Sequence, residues 1–175
     1  MDIREYNITY IAKEFLMKDR WNIIAFNPPG SQGTFTIPNP DKDGTYRGQT
    51  GSLSPDIVAF KVVNNENIFV IVEAKPIYSA SDVNKMISMF ENPRRQSLFF
   101  EIVKSSCEAN GMEFDPSKNT IIKFAKAHGG KSHLDPRVTT ILIVQTKEWN
   151  PKIIDPREDI YSNFTVEILG SLLKD

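Results

Sequence analysis

The feature that most constrains this chain is a pair of β-branched, apolar runs joined by asparagines. From Pro55 the sequence reads Pro-Asp-Ile-Val-Ala-Phe-Lys-Val-Val, then Asn-Asn-Glu-Asn, then Ile-Phe-Val-Ile-Val-Glu-Ala-Lys to Lys75. Runs of this kind around an asparagine-rich turn predict a β-hairpin. With the turn centred on Asn64-Asn65, antiparallel partners have residue numbers with a constant sum. Val63 then faces Glu66, Phe60 faces Phe69, Val58 faces Ile71 and Asp56 faces Glu73. That register brings the two acids together with Cα atoms about 5 Å apart. Lys75 lies two residues beyond Glu73 and therefore points to the same face. One end of an otherwise apolar hairpin thus gathers two carboxylates and an ammonium.

Two acids placed this way repel each other unless a cation sits between them. Their hard oxygen donors suit magnesium. A divalent metal polarises a phosphoryl oxygen and lowers the pKa of bound water. The lysine can hold or deprotonate the attacking water, or neutralise charge in the transition state. These parts suffice for phosphodiester hydrolysis. The plain alternative is a surface hairpin with a charged rim.

Pro55-Asp56 followed after a gap by Glu73-Ala74-Lys75 resembles the signature of the PD-(D/E)xK nuclease superfamily. That group includes type II restriction endonucleases, archaeal-type Holliday-junction resolvases and RecB-like nucleases. The resemblance implies an α/β fold with a restriction-endonuclease-like mixed central sheet flanked by helices. It implies Asp56 and Glu73 as magnesium ligands, Lys75 as the catalytic lysine and DNA as substrate. Members often place a further acid on the first helix near the metal, and Glu5 and Glu14 are the candidates here. They are nine residues apart and so on opposite helix faces, which allows at most one to serve. Glu5 fits the spacing better, and a solvated helix glutamate is the alternative for either. RecB-like members carry Gln-x-x-x-Tyr after the lysine, whereas Gln96 here is followed four residues on by Phe100.

A chain of 175 residues suits one domain, here residues 1–175, with a core of its own. The net charge of −1 gives no global attraction to nucleic acid, so DNA binding has to rely on a local basic patch. The single cysteine, Cys107, excludes an internal disulfide and a cysteine metal cluster and fits a reducing cytoplasm. Neither a signal peptide nor a long apolar span is apparent, so a secreted or membrane-spanning protein is not expected.

Residues 2–19 read as a helix, with Asp2 and Glu5 as a capping box and two apolar stripes, Ile3, Tyr6, Tyr10, Met17 and Ile8, Ile11, Phe15. Residues 21–26 read as a strand ended by Asn27-Pro28-Pro29-Gly30. The polar stretch up to Ser54 is irregular, with Phe35-Thr36-Ile37 as a short strand. Its Arg47, Gln49, Thr50 and Ser52 are candidates either for DNA contact or for a solvated loop. Ser79 or Ser81 caps a helix to about Glu91, and Asn92-Pro93 opens a second that ends near Asn110-Gly111. Arg94, Arg95 and Gln96 in its first turn are candidate phosphate contacts or an ordinary solvated helix start.

Asp115-Pro116 reads as the start of another helix, ending near Gly129-Gly130 with Ile121, Phe124 and Ala125 inward. The stretch from Lys118 to Arg137, which includes His128 and His133, is the most basic of the chain and the candidate surface for the DNA backbone. A zinc site on the two histidines is disfavoured, because no cysteine or acid stands at ligand spacing. Residues 138–146 read as a buried strand. Asp155-Pro156 reads as a short helix start, and residues 164–169 suit strand or helix equally.

Three functions follow: a magnesium-dependent restriction-type endonuclease, a structure-specific nuclease such as a junction resolvase, and a non-catalytic binding protein on the same fold. Cutting both strands of a duplex calls for two active sites, and so for a homodimer or a partner subunit. Asn27-Pro28-Pro29-Gly30-Ser31 resembles the loop of resolvases, although those proteins are usually smaller and more basic. The three acid and base side chains argue against the binding protein.

Overall fold

The computed structural model describes residues 4–31, 35–41, 51–145 and 164–173. Its centre is a six-stranded mixed sheet in which spatial order follows chain order. The strands are β1 (Asn22–Phe26), β2 (Ile57–Val63), β3 (Glu66–Lys75), β4 (Thr120–His128), β5 (Thr139–Gln145) and β6 (Phe164–Leu169). β1, β2 and β3 pair antiparallel; β3, β4 and β5 pair parallel; β6 returns antiparallel on β5. Helix α1 (Glu5–Lys18) precedes the sheet, and α2 (Ala80–Phe90) and α3 (Pro93–Ala109) form the crossover from β3 to β4. This is the α/β architecture expected, a mixed sheet flanked by helices.

The β2–β3 hairpin follows from its turn. Asn64 and Asn65 have φ of 51° and 66°, the left-handed pair that a two-residue hairpin turn of the right twist demands. Asparagine tolerates that region better than most residues. The register then runs Val63↔Glu66, Phe60↔Phe69 and Val58↔Ile71, as the constant sum requires.

Strand alternation sorts the core into two layers. Ile57, Ala59, Val70, Val72 and Ala74 pack with Ile8, Ile11, Ala12 and Leu16 of α1. Val58, Phe60, Phe69 and Ile71 pack on the opposite side with Val83, Met86 and Phe90 of α2 and with Phe99 and Val103 of α3. Phe69 alone touches the rings of Phe60, Phe99, Phe100 and Phe114. Ala74, Ala125 and Ala127 are all fully buried in the α1 layer, and their small side chains let that helix approach the sheet.

Three expectations need correction. Helix α1 starts at Glu5, later than expected, behind an extended Arg4 that gives no side-chain cap; Asp2 of the expected capping box lies outside the described residues. Met17, expected on an apolar stripe, is 50% exposed. The helix expected after Asp115-Pro116 is a turn followed by strand β4. The Asp115 Oδ1 accepts from the Ser117 amide at 2.9 Å and from its hydroxyl at 2.7 Å, which closes a local turn. From Thr120 onward every residue pairs with β3, Asn67↔Thr120 through Lys75↔His128. The alanines and lysines of this segment favour helix locally, but pairing with an adjacent apolar strand outweighs a preference of a few tenths of a kcal/mol per residue. The undecided stretch 164–169 is strand β6. The small strand expected at residues 35–37 is a single bridge, Ile37↔Leu53. The helix start at Asp155-Pro156 lies outside the described residues.

The β4–β5 link is short for a parallel connection. Register explains it: Thr139 at the start of β5 faces Ala125, only three residues before β4 ends. Residues 129–138 therefore step back over one turn's length rather than over the whole sheet.

Candidate active site

Asp56 sits one residue before β2, at the end of the sheet where β3 finishes. Two main-chain contacts hold it there. Its carbonyl accepts from the Asn27 amide at 2.8 Å, and its Oδ2 accepts from the Ala74 amide at 2.7 Å. Asn27 braces the approach: its Nδ2 donates to the carbonyls of Pro55 at 2.9 Å and Phe35 at 3.1 Å. The Asn27 side chain thus ties the loop after β1 to the Pro-Asp entry of β2. In the sequence Asn27 reads as the end of a strand and as part of a resolvase-like loop, and nothing local signals a partner 28 residues away.

The hairpin register carries the other two side chains to the same place. Glu73 and Lys75 alternate with Val72 and Ala74 of the α1 layer, and the Lys75 Nζ lies 3.7 Å from Glu73 Oε1. Glu5, in the first turn of α1, completes the group: its Oε1 accepts from the Lys75 Nζ at 2.8 Å. Glu14 is engaged elsewhere, with Lys13 at 3.0 Å. Of the two helix acids, then, Glu5 reaches the site, and it does so as the partner of the lysine.

The electrostatics of the site are those of a place short of positive charge. Burial pushes the Asp56 carboxyl up to about 6, against the opposing pull of the Ala74 amide and Lys75. Burial, and then the Asp56 charge, push Glu73 up to about 7. Burial works against the Lys75 ammonium, but the Glu5 hydrogen bond and the surrounding carboxylates outweigh it, so Lys75 is held above the ordinary lysine range. Asp82 on α2 adds negative charge felt by both Asp56 and Glu73. Its contribution was not visible in the sequence, because it depends on how α2 docks.

No family model, curated protein or solved structure matches this chain.

Among the described residues no group of three or more His, Cys, Asp or Glu side chains is arranged as a metal cage. Asp56 and Glu73 form a pair, with Glu5 held on Lys75. A pair is nevertheless the donor set that magnesium commonly uses, because it keeps several waters and takes one or two carboxylates plus substrate phosphate.

The other candidate contacts are redistributed. Arg95 is buried, and its Nη2 donates to the Gly51 carbonyl at 3.2 Å, so it braces a loop rather than facing solvent. Gln96 donates to the Phe90 carbonyl. Arg94 remains exposed beside Asp41. Arg47, Gln49 and Thr50 lie outside the described residues, and Ser52 is half-buried. The basic stretch 118–137 is divided: Lys126 and His128 are buried in β4, whereas Lys131, His133 and Arg137 are exposed.

Proposed function

We propose that this chain is a magnesium-dependent DNA endonuclease of the PD-(D/E)xK type, working as a restriction-type enzyme in a homodimer or with a partner subunit. The observation that carries the reading is the convergence of Asp56, Glu73 and Lys75 at one strand end, with Asp56 buried, Glu73 half-buried and both carboxyls pushed up. A hairpin with a merely solvated rim would leave those acids in water, where they ionise at ordinary pH. Here they are sheltered and mutually repelling, which suits a site completed by a cation.

Asp56 and Glu73 would hold the magnesium ion. When bound, it supplies Lewis-acid polarisation of the phosphoryl oxygen and acidification of water. The Ala74 amide fixes Asp56 in place, so this carboxylate need not reorganise. Glu5 and Glu73 hold Lys75 from two sides. With its proton affinity raised, Lys75 serves as a charged donor to the phosphate oxygens and as a positioner of water, not as the base.

The test uses purified protein, magnesium and three DNAs: plasmid, a synthetic four-way junction and a single strand. Discrete plasmid fragments are expected. Cutting confined to the junction would point to a resolvase, and no cutting with any of several divalent metals would sink the enzyme. Glu73→Ala or Lys75→Ala should lower cleavage on the order of a thousandfold while DNA binding persists. Retained cleavage by either variant would overturn the site.

A further inference from the structure

Strand β4 carries a second charged cluster next to the first, which the proposed chemistry leaves unused. Lys126 stands opposite Glu73 in the parallel register, and His128 stands opposite Lys75. Residues paired in this way share a sheet face. Lys126 is 2% exposed and His128 is fully buried. Among the described residues neither Lys126 Nζ nor His128 Nε2 has a hydrogen-bond partner.

Lys126 is covered by an aromatic ring. Its Nζ lies 2.7 Å from the centroid of the Tyr78 ring. Tyr78 belongs to the link between β3 and α2; its hydroxyl donates to Asp135 Oδ2 at 3.0 Å, and its ring lies against exposed His133 with centroids 3.7 Å apart. Asp135 is the acid that acts on Lys126, yet it is already clamped by Arg137, through Nε at 2.9 Å, Nη2 at 2.6 Å and the backbone amide at 3.0 Å. His128 gives no help, since its Nδ1 meets the Gly129 carbonyl and burial keeps the ring neutral. A sheltered ammonium whose nearest acid is spoken for is costly, and an aromatic face is a weak substitute for an anion. Burial accordingly draws the Lys126 proton affinity down to about 8.

We propose that Lys126 is a second phosphate subsite, which takes a backbone phosphodiester flanking the one held at Asp56, Glu73 and Lys75 once the Tyr78 ring turns aside. The subsite rests on the nuclease reading for the identity of its ligand. Its access route is basic: Lys131 and Arg137 are exposed on the β4–β5 link beside Tyr78's partners. Turning the ring breaks the hydrogen bond to Asp135 and gives up the Tyr78 contacts with Arg137, His128 and His133.

The experiment measures duplex DNA binding against salt concentration, with calcium in place of magnesium. Lys126→Met removes the charge and keeps an unbranched side chain of similar length. It should lower the slope of log affinity against log salt by about one and weaken binding several-fold at low salt. Its melting temperature should be no lower than that of the unaltered protein, which a structural role for the ammonium would not allow. Tyr78→Phe, free of the Asp135 bond, should bind DNA more tightly with the slope retained. An unchanged slope in Lys126→Met, with DNA still cut by the unaltered protein, would overturn the subsite and leave the nuclease standing. Inorganic phosphate is a second probe, applied to the unaltered protein and read from the Lys126 side-chain NMR signals. A shift without any DNA cleavage would keep an anion site and sink the nuclease; no shift would count against the subsite even if Lys126→Met failed to fold.

Discussion

The ends of β3 and β4 lie side by side and carry opposite electrostatic loads. At the end of β3, two sheltered carboxyls have one ammonium among them and are pushed up, to about 6 and about 7. On β4, a sheltered ammonium has no free carboxylate and is drawn down to about 8. Strand pairing places Glu73 and Lys126 directly opposite each other, yet their charged ends turn to different partners, Lys75 and Tyr78. Had they met, each would have relieved the other. A fold optimised only for stability would bring such groups together or replace them with apolar ones. Keeping them apart suits a surface completed by a cation on one side and an anion on the other.

The acidic end of β3 gives the largest expected effects. Asp56→Asn and Glu73→Gln should each reduce magnesium-dependent cleavage on the order of a thousandfold and yet raise the melting temperature of the metal-free protein, because burial and repulsion of a charge are removed. Asparagine at position 56 still accepts from the Ala74 amide, so the gain should be clean there. A fall in melting temperature for both variants would mean that the pair is not under strain.

Acidity gives the next largest effect. Both carboxyls have folded values above their ordinary ones of 3.8 and 4.5, so the folded protein binds more protons than the unfolded chain between those limits. Their contribution to stability is fully present below about pH 4 and is lost as pH rises through 6 to 7. Magnesium should therefore raise the melting temperature at pH 8 by several degrees and leave it nearly unchanged at pH 5. Thermal melts with and without the metal at the two pH values check this, and equal shifts at both would contradict it.

Lys126 should behave in the opposite sense and in a separate window. Its folded value lies below the ordinary 10.5, so the unfolded chain binds the extra proton, and stability from this group rises as pH increases from about 8 to 10.5. Melting curves across that range should be flatter in Lys126→Met than in the unaltered protein. The smallest effect expected is that of Asp135→Asn. It weakens the hold on Arg137, whose side chain is half exposed, and on the Tyr78 hydroxyl, and should lower the denaturation midpoint only slightly in denaturant titration.

The legibility of the chain differs from element to element for a physical reason. The hairpin was readable because all its determinants are local: a turn that needs two left-handed residues, alternation of period two, and a register fixed by the turn. That is why the geometry of Asp56, Glu73 and Lys75 followed from the sequence. The helices α2 and α3 were readable from their caps; Asn92 accepts from the amides of Arg94 and Arg95, and Ser79 from that of Asp82. Strand β4 was not readable, because its alanines and lysines favour helix while Thr120, Ile121, Ile122 and Phe124 favour strand, and pairing with β3 decides between them. Arg95 looked like a surface arginine for a similar reason, since the Gly51 carbonyl that receives it is far away in the chain.

By itself, the sequence determined the β2–β3 hairpin, the meeting of residues 56, 73 and 75, and the α/β class, because turn chemistry and side-chain alternation act between near neighbours. Tertiary structure alone decided that Glu5 arrives on Lys75, that Asn27 braces Asp56, and that Lys126 is sealed beneath Tyr78. Each of these contacts joins segments distant in the chain, and its energy is gained only after the sheet has closed the long loops between them.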